Sequence, residues 1–295
     1  MRLFPTWVHP LLAKLLPSIR KGHGYIRQAQ KLLVPEILRR REMMAAGKLE
    51  TGTKDTLLSW MMECADESES DPDHLAHLEI VISLAAIHTS QMNAVHVLYD
   101  LAAHPEYFEE IREEIREVVR KDSGWQKTSY AKIRKLDSFM KESQRFNPPS
   151  MLSYHRVMQE NHILSDGTAL PRGSHICMPV NAIQNDPEVT PNPDVFDGLR
   201  YYKYRLRHGE GHLHQFATTE KNSLNFGHGK YACPGRFFAS LEIKVILVRL
   251  IMNYDFKLTP HQGRPANLKA HEFLFPNPDG ELLVRERGLD TESPF

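Results

Sequence analysis

Apolar residues recur at helical spacing through most of the first half of the chain. Between Tyr25 and Ala46 they fall at Ile26, Ala29, Leu32, Leu33, Ile37 and Leu38, beside the charges Arg39, Arg40, Arg41 and Glu42, so a long helix is expected, disturbed by Pro35. A short helical piece is expected around Thr56 to Met62, before the acidic, serine-rich loop ADESESDPD. There Asp71 suits a helix N-cap and Pro72 the first helical position, and from His74 to Ala103 neither Pro nor Gly interrupts. The helix this predicts is roughly 45 Å long. Its middle, Ile80 to Ile87, is apolar on every face, which predicts burial. Four polar residues follow, His88, Thr89, Ser90 and Gln91. Each buried group left unpaired costs about 1–3 kcal/mol, so a cavity holding water or ligand is expected beside them.

A surface helix restarts after Pro105, with Phe108, Ile111, Ile115 and Val118 as its buried stripe and Glu109/Arg112, Glu113/Arg116 and Glu117/Arg120 as pairs along it. Another helix is expected over Ser129 to Phe146, ending at Asn147-Pro148-Pro149. The period then shortens to that of strands, with Val157, Ile163 and His175 to Val180 as strand positions and Asp166-Gly167 and Arg172-Gly173 as turns. Asp186 to Arg200 is Pro-rich and irregular, and a His-rich loop runs on to Ser223. A clean helix is expected from Pro234 to Asn253, and a hairpin about Pro278-Asp279-Gly280.

Composition narrows the class. With 295 residues, 41% of them hydrophobic, the chain can bury one large core or two smaller ones. Its 37 basic and 37 acidic residues cancel, so nothing draws it to nucleic acid, and none is expected as a partner. Cys64, Cys177 and Cys233 are too few and too far apart for a disulfide framework, which fits a reducing compartment. No apolar run reaches the roughly 20 residues of a membrane span. The opening MRLFPTWVHPLLAKLLPS matches a signal peptide poorly, yet Leu3, Phe4, Trp7, Leu11, Leu12, Leu15 and Leu16 make it greasy. A segment packed on its own domain is preferred to one touching a membrane.

The stretch FGHGKYACPG, Phe226 to Gly235, holds the candidate chemistry. It is not a phosphate loop, since Lys230 is followed by Tyr231 and the glycine spacing is wrong. The loop His208-Gly-Glu-Gly-His212-Leu-His214 has metal-friendly types, but glycine on both sides of Glu210 favours a solvated loop over a rigid tetrahedral site. A single cysteine is most often a small buried hydrophobe. Cys233, however, stands just before Pro234 at a helix mouth, where N–H groups and the helix dipole favour a thiolate, a ligand for soft metals and haem iron. Gly227, Gly229 and Gly235 clear side chains from around it, so a large flat object could lie against the backbone, and Phe226 is expected near the sulfur.

Phe226-x-x-Gly229-x-x-x-Cys233-x-Gly235 resembles the haem-binding signature of the cytochrome P450 monooxygenases. Glu142-Ser-Gln-Arg145 looks like that family's E-x-x-R element, and Phe196-Asp-Gly-Leu-Arg200 like the later segment whose arginine joins the ion pair. Ala85-Ala86-Ile87-His88-Thr89 is similar to its oxygen-binding helix, with Ala86 in place of the usual Gly and His88 in place of the usual acid.

The resemblance implies a mainly α fold with a small β portion, P450-like and incomplete at the N-terminus, as in the C-terminal part of a fungal-type member. Its parts are entrance-side helices over 1–70, the long central helix and its followers over 71–147, and strands, haem-binding loop and final helix over 148–295. It implies haem b with Cys233 as the axial thiolate, and a network of Glu142, Arg145 and Arg200 that holds the cysteine loop in place. Thr89, and His88 in the acid's stead, serve proton delivery, and Arg156 and His228 hold the propionates. Ala85, Ala86 and Ser150 to Tyr154 line the substrate side.

The implied activity is insertion of one atom of O2 into an apolar small molecule, terpenoid-like, in secondary metabolism. Electrons come from a separate NADPH-dependent flavoprotein reductase, because no dinucleotide fingerprint is present. Association with the cytosolic face of the endoplasmic reticulum is implied as well, with peripheral membrane contact through residues 1–17. Two alternatives stand beside this reading: a truncated haem-binding fragment without activity, motivated by the missing N-terminal part, and a haem-thiolate isomerase or peroxide-driven enzyme, motivated by the missing acid.

Overall fold

The computed structural model describes residues 8–48 and 51–288. The chain divides into two compact units, Met1–Ile87 and His88–Phe295.

The first unit is helical: α1 (His9–Leu15), α2 (Pro17–Ala45), α3 (Thr51–Lys54), α4 (Leu57–Cys64) and the start of α5 (Pro72–Ala103). α2 begins at Pro17, ahead of the expected Tyr25, because Pro17 suits a first helical turn and the glycines that follow do not end it. Pro35 lies inside α2, where it removes one backbone donor without ending the helix. Arg40 ties α2 to α4 through Thr56 Oγ1 at 2.7 Å and Ser59 Oγ at 3.0 Å. Thr56 also caps α4, accepting from Ser59 N. Ile37, Leu58, Leu75 and Ala76 form the small core. As expected, Asp71 caps α5, its carboxylate accepting from His74 N at 2.9 Å.

Burial of Ile80–Ile87 is the expectation that fails. Val81, Leu84 and Ile87 are 48%, 57% and 61% exposed, because the unit's core ends at Ala76 and leaves the following turns of α5 uncovered. Leu15 and Leu16 are likewise exposed rather than packed on their unit. Leu3, Phe4 and Trp7 of the opening stretch lie outside the described residues, as does the side chain of Leu11.

In the second unit, the remainder of α5 packs with α6 (Tyr107–Lys121), α8 (Arg134–Phe146) and α11 (Arg236–Asn253) around Leu101, Ile111, Ile115, Phe139, Leu247 and Ile251. The expected stripe of α6 is buried. Its third pair is not the expected one: Glu117 meets Lys121 at 2.6 Å, and Arg120 leans back to Glu113 at 3.8 Å. The helix expected over Ser129 to Phe146 is split at Ile133 into α7 (Ser129–Lys132) and α8. The cause is Glu114, whose carboxylate accepts from the backbone N of Arg134, Lys135 and Leu136 and so starts a new helix there.

The strands are short antiparallel pairs. β1 (Ser153–Val157) pairs with β4 (His175–Met178), and β2 (His162–Ile163) with β3 (Ala169–Leu170). β4 stops at Met178, and Val180 opens α9 (Val180–Gln184) instead of ending a strand. The Pro-rich stretch leads into α10 (Arg200–Arg205). β5 (Tyr254–Leu258) pairs with β8 (Leu282–Glu286), and β6 (Leu268–Ala270) with β7 (Phe273–Phe275), so the turn at Pro278-Asp279-Gly280 joins two different pairs and closes no hairpin. Tyr99 explains the detour: its hydroxyl donates to the carbonyls of Asn277 and Gly280 at 3.1 Å, and a Cβ on Gly280 would stand 2.5 Å from it.

Beneath α5, Asp100 accepts from Ser143 Oγ, from Asn147 Nδ2 at 3.0 Å and from Arg264 Nε. Arg264 also donates to His96 Nδ1 at 3.1 Å. Burial, and then the neighbouring Arg264 charge, lower the pKa of His96 from 6.5 to about 4. The unfolded chain therefore takes this proton more readily than the folded one. His96 contributes stability that is present above about pH 6.5 and lost as the pH falls toward about 4, amounting to up to about 3 kcal/mol. Urea unfolding across that window should show this decline in the parent and a shallower one in His96→Gln; equal slopes in both chains would refute it.

Candidate functional site

α8 places Glu142 and Arg145 three residues apart on a buried face, and Arg200 opens α10 beside them. Glu142 is 0% exposed and Arg145 1%. Arg145 forks onto the Glu142 carboxylate, Nε to Oε2 at 2.9 Å and Nη2 to Oε1 at 2.7 Å. Arg200 Nε lies 3.2 Å from both oxygens, and Asp197 N donates to Oε1 at 3.1 Å. The remaining guanidinium N–H groups are met by carbonyls: Pro193 O for Arg145, Pro191 O and Val195 O for Arg200, at 2.7–2.8 Å. Asn185 Oδ1 completes the shell of Arg145. Such satisfaction is what a buried charge cluster requires, since each ion gives up several kcal/mol of hydration.

Phe196 fixes the same segment by packing. Its ring stacks on His104 at 4.5 Å and meets Phe139 and Phe146 at 5.1 and 5.4 Å. A side chain at Gly198 would collide with Phe139, its Cβ 2.5 Å from Cδ2. Only glycine lets the chain pass there.

The loop at Phe226–Gly235 is closed on itself. Cys233 N donates to Phe226 O at 2.7 Å, and Gly227 N to Leu224 O at 2.8 Å. Gly227 and Gly229 have φ of +69° and +66°, the left-handed region that glycine enters without penalty. At Gly227 a Cβ would press on Tyr231 O at 3.1 Å, whereas at Gly229 and Gly235 it would enter open space. Cys233 is an exposed free cysteine, and its carbonyl accepts from Arg236 Nη1 at 2.7 Å. α11 starts at Arg236 with Gly235 as its N-cap, two residues later than the expected Pro234, so Cys233 stands two residues before the N-cap instead of at it. The Phe226 ring turns edge-on to Phe216, centroids 5.3 Å apart, and packs against the core.

A family model described as Cytochrome P450 matches residues 3–284. The chain belongs to the cytochrome P450 family. It is 50% identical to "Cytochrome P450 monooxygenase AN1598" of Emericella nidulans and 45% identical to "Cytochrome P450 monooxygenase olcJ" of Penicillium canescens, in both cases over 97% of this chain and 54% of the relative. It is 39% identical to an ent-kaurene oxidase of Gibberella intermedia, over 99% of this chain and 54% of that protein. The chain thus spans about half the length of the curated relatives it matches.

P450s carry haem bound through a cysteine thiolate, and the residues present here fit such a group. Cys233 offers an unpaired, accessible sulfur, and the backbone beside it at Gly229 and Gly235 faces open space that side chains would fill. Arg156 is exposed, its guanidinium over the rings of Tyr154 and Tyr231 at 5.3 and 4.7 Å. His228 is partly buried, with Nδ1 3.3 Å from Thr219 Oγ1. Among the described residues no group of three or more His, Cys, Asp or Glu could hold a metal ion by itself. The His-rich loop is less solvated than expected, because His214 bridges Glu210 at 2.8 Å and Glu220 at 3.2 Å.

The structure brings Glu142, Arg145 and Arg200 into one contact, and Phe226, His228, Gly229, Cys233 and Gly235 into one loop. His88 and Thr89 belong to neither cluster. Both are exposed on α5, where Thr89 O accepts from Asn93 Nδ2 at 2.8 Å and His88 lines a cavity of about 460 Å³ with Gln91, Met92, Tyr99 and Phe275. Ala85 and Ala86 are exposed as well.

Two contributions escaped sequence reasoning. The carbonyls around Arg145 and Arg200 come from a stretch legible only as irregular, although its prolines, which lack an N–H, were a sign of carbonyls free to accept from side chains. Tyr154 donates its hydroxyl to His228 O across 74 residues, and nothing local announces that contact.

Glu142→Ala should destabilise the chain by about 3–5 kcal/mol, because two buried guanidinium groups lose their shared anion. Urea unfolding of parent and variant measures this; a loss below about 1 kcal/mol, as for a surface pair, would refute the arrangement.

Proposed function

We propose that this chain is the haem-bearing part of a monooxygenase that transfers one oxygen atom of O2 to an apolar small molecule, with Cys233 as the axial thiolate. The observation that carries the reading is the loop at Phe226–Gly235, a self-closed turn with an accessible free thiol flanked by backbone open to a flat group.

When bound through a thiolate, haem supplies the activation of O2, since the thiolate's electron density favours O–O cleavage. Cys233 presents the sulfur from a turn held by its own N–H and by Arg236. Arg156 and His228 are suited to hold propionates, by charge and N–H donation. The buried network of Glu142, Arg145 and Arg200 keeps the segment before the cysteine loop in one conformation, a role of specificity more than of net stability. Thr89 holds a proton at its hydroxyl for O2, and His88, in place of a carboxylate, resupplies the proton that Thr89 gives up. A neutral imidazole accepts and donates through different nitrogens, so it can relay where an acid would.

The substrate class is apolar and terpenoid-like, a reading supported by relatives named as ent-kaurene oxidases. Ala85 and Ala86 suit such a substrate by presenting methyl groups alone. Electrons are drawn from an NADPH-dependent flavoprotein reductase, and the chain works at the cytosolic face of the endoplasmic reticulum. No helix among the described residues is long and apolar enough to cross a membrane. A second reading, a haem-binding chain without turnover, is favoured by the exposed apolar stretch of α5 at Val81–Ile87.

Reduced protein loaded with haem and exposed to carbon monoxide should give a thiolate-type Soret band that Cys233→Ser abolishes. Its absence from the parent would overturn the assignment. With the band present, product formation with reductase and NADPH supports the monooxygenase, product with peroxide alone supports the peroxide-driven alternative, and no product under either condition supports the inert one.

A further inference from the structure

β1 is deformed at its centre. Its register against β4 shifts between Ser153 and Arg156, and within that irregularity Tyr154 takes φ +58°. An aromatic L-residue adopts this left-handed conformation only at a cost in free energy, and such costs concentrate at functional positions. Bulges beside a site re-aim side chains, and this one sends the Tyr154 hydroxyl to the carbonyl of His228. Arg156, on the far side of the bulge, covers the Tyr154 ring at 5.3 Å and the Tyr231 ring at 4.7 Å, so β1 meets the loop a second time.

The target of that hydroxyl is the residue flanked by the loop's two left-handed glycines. His228 stands between Gly227 and Gly229, both left-handed and both without a side chain to restrain the backbone. The hydrogen bonds from Cys233 N to Phe226 O and from Gly227 N to Leu224 O close the loop at its ends, Ala232 N to Gly229 O at 3.1 Å closes the turn after His228, and the His228 ring lies 3.3 Å from Thr219 Oγ1, but none of these holds the His228 backbone carbonyl. Tyr154 reaches its middle. A tyrosine needed only for packing gains nothing from a left-handed kink, whereas a hydroxyl that must meet a carbonyl on another segment does.

We propose that Tyr154 is a positioning residue for the Cys233 thiol: by holding the His228 carbonyl, its hydroxyl fixes the glycine-flanked turn that presents the sulfur. The inference rests on the reading of Cys233 as the haem ligand. Tyr154→Phe removes the hydroxyl and keeps the ring, and Tyr154→Gly removes both and relieves the backbone.

Amide hydrogen exchange on the full chain, with and without haem, is the first readout. In both variants exchange at residues 227–233 should quicken about tenfold, the loss expected for one hydrogen bond, while α8 and α11 keep their parental rates. The second readout is spectroscopic: the thiolate-type carbon monoxide band of Tyr154→Phe should convert to a non-thiolate form about tenfold faster than the parent's. Parental exchange in Tyr154→Phe, or quickening in Tyr154→Gly alone, overturns the proposal, because the ring and not the hydroxyl would then be the tether. A parent chain without a thiolate-type band overturns the haem reading instead, and the exchange experiment still decides the tether.

Discussion

A single carboxylate, Glu142, sets the terms for the second unit. It is fully buried, and a buried charge is tolerated only where every lone pair is met. Two guanidinium groups and the N–H of Asp197 meet it, and those guanidinium groups in turn need acceptors. That demand fixes the path of Pro191–Val195, whose carbonyls face Arg145 and Arg200, and the stacking of Phe196 anchors the same path from its apolar side. Exchanged for well-packed apolar groups, the cluster would cost the fold little net stability, but nothing else would dictate one course for an irregular segment.

The cysteine loop follows the opposite logic. Its restraint comes from backbone hydrogen bonds, including Ala232 N to Gly229 O at 3.1 Å, and from two side-chain contacts at His228, the Tyr154 hydroxyl on its carbonyl and Thr219 Oγ1 by its ring, while its sulfur and two of its glycines face open space. A site for a large flat ligand needs this combination of fixed framework and empty surroundings. The ordered parts lie in the buried cluster and in β1, and the accessible parts lie in the loop between them and α11.

Legibility followed the range of the interactions. Asp71 and Pro72 announced the start of α5, and the stripe of α6 was plain in its period, because both depend on neighbours within a few residues. The break at Ile133 was hidden, since it depends on Glu114, some twenty residues earlier, and the missing hairpin at Gly280 depends on Tyr99, far away in sequence. Ile80–Ile87 misled for a different reason: composition shows that a surface is apolar, not what covers it. The contact of Glu142, Arg145 and Arg200 was legible because their spacing is a motif. The tether from Tyr154 was not, because a tyrosine in a strand looks like any other.

The Glu142 cluster also bears on how the chain folds. Glu142 and Arg145 are neighbours on one helical face, but Arg200 lies 58 residues beyond Glu142, and the carbonyls that satisfy it belong to the intervening chain. α8 supplies Glu142 and Arg145 by itself, but the second guanidinium and the carbonyls that satisfy it come from the later Pro-rich segment, and a half-paired charge is worse buried than exposed. The cluster is therefore complete only when segments 58 residues apart meet, Glu142 and Arg145 from α8 and Arg200 from α10. The same return of the chain that brings Arg200 to Glu142 carries Phe196 onto His104, Phe139 and Phe146, so one segment closes both the charged and the aromatic side of α8.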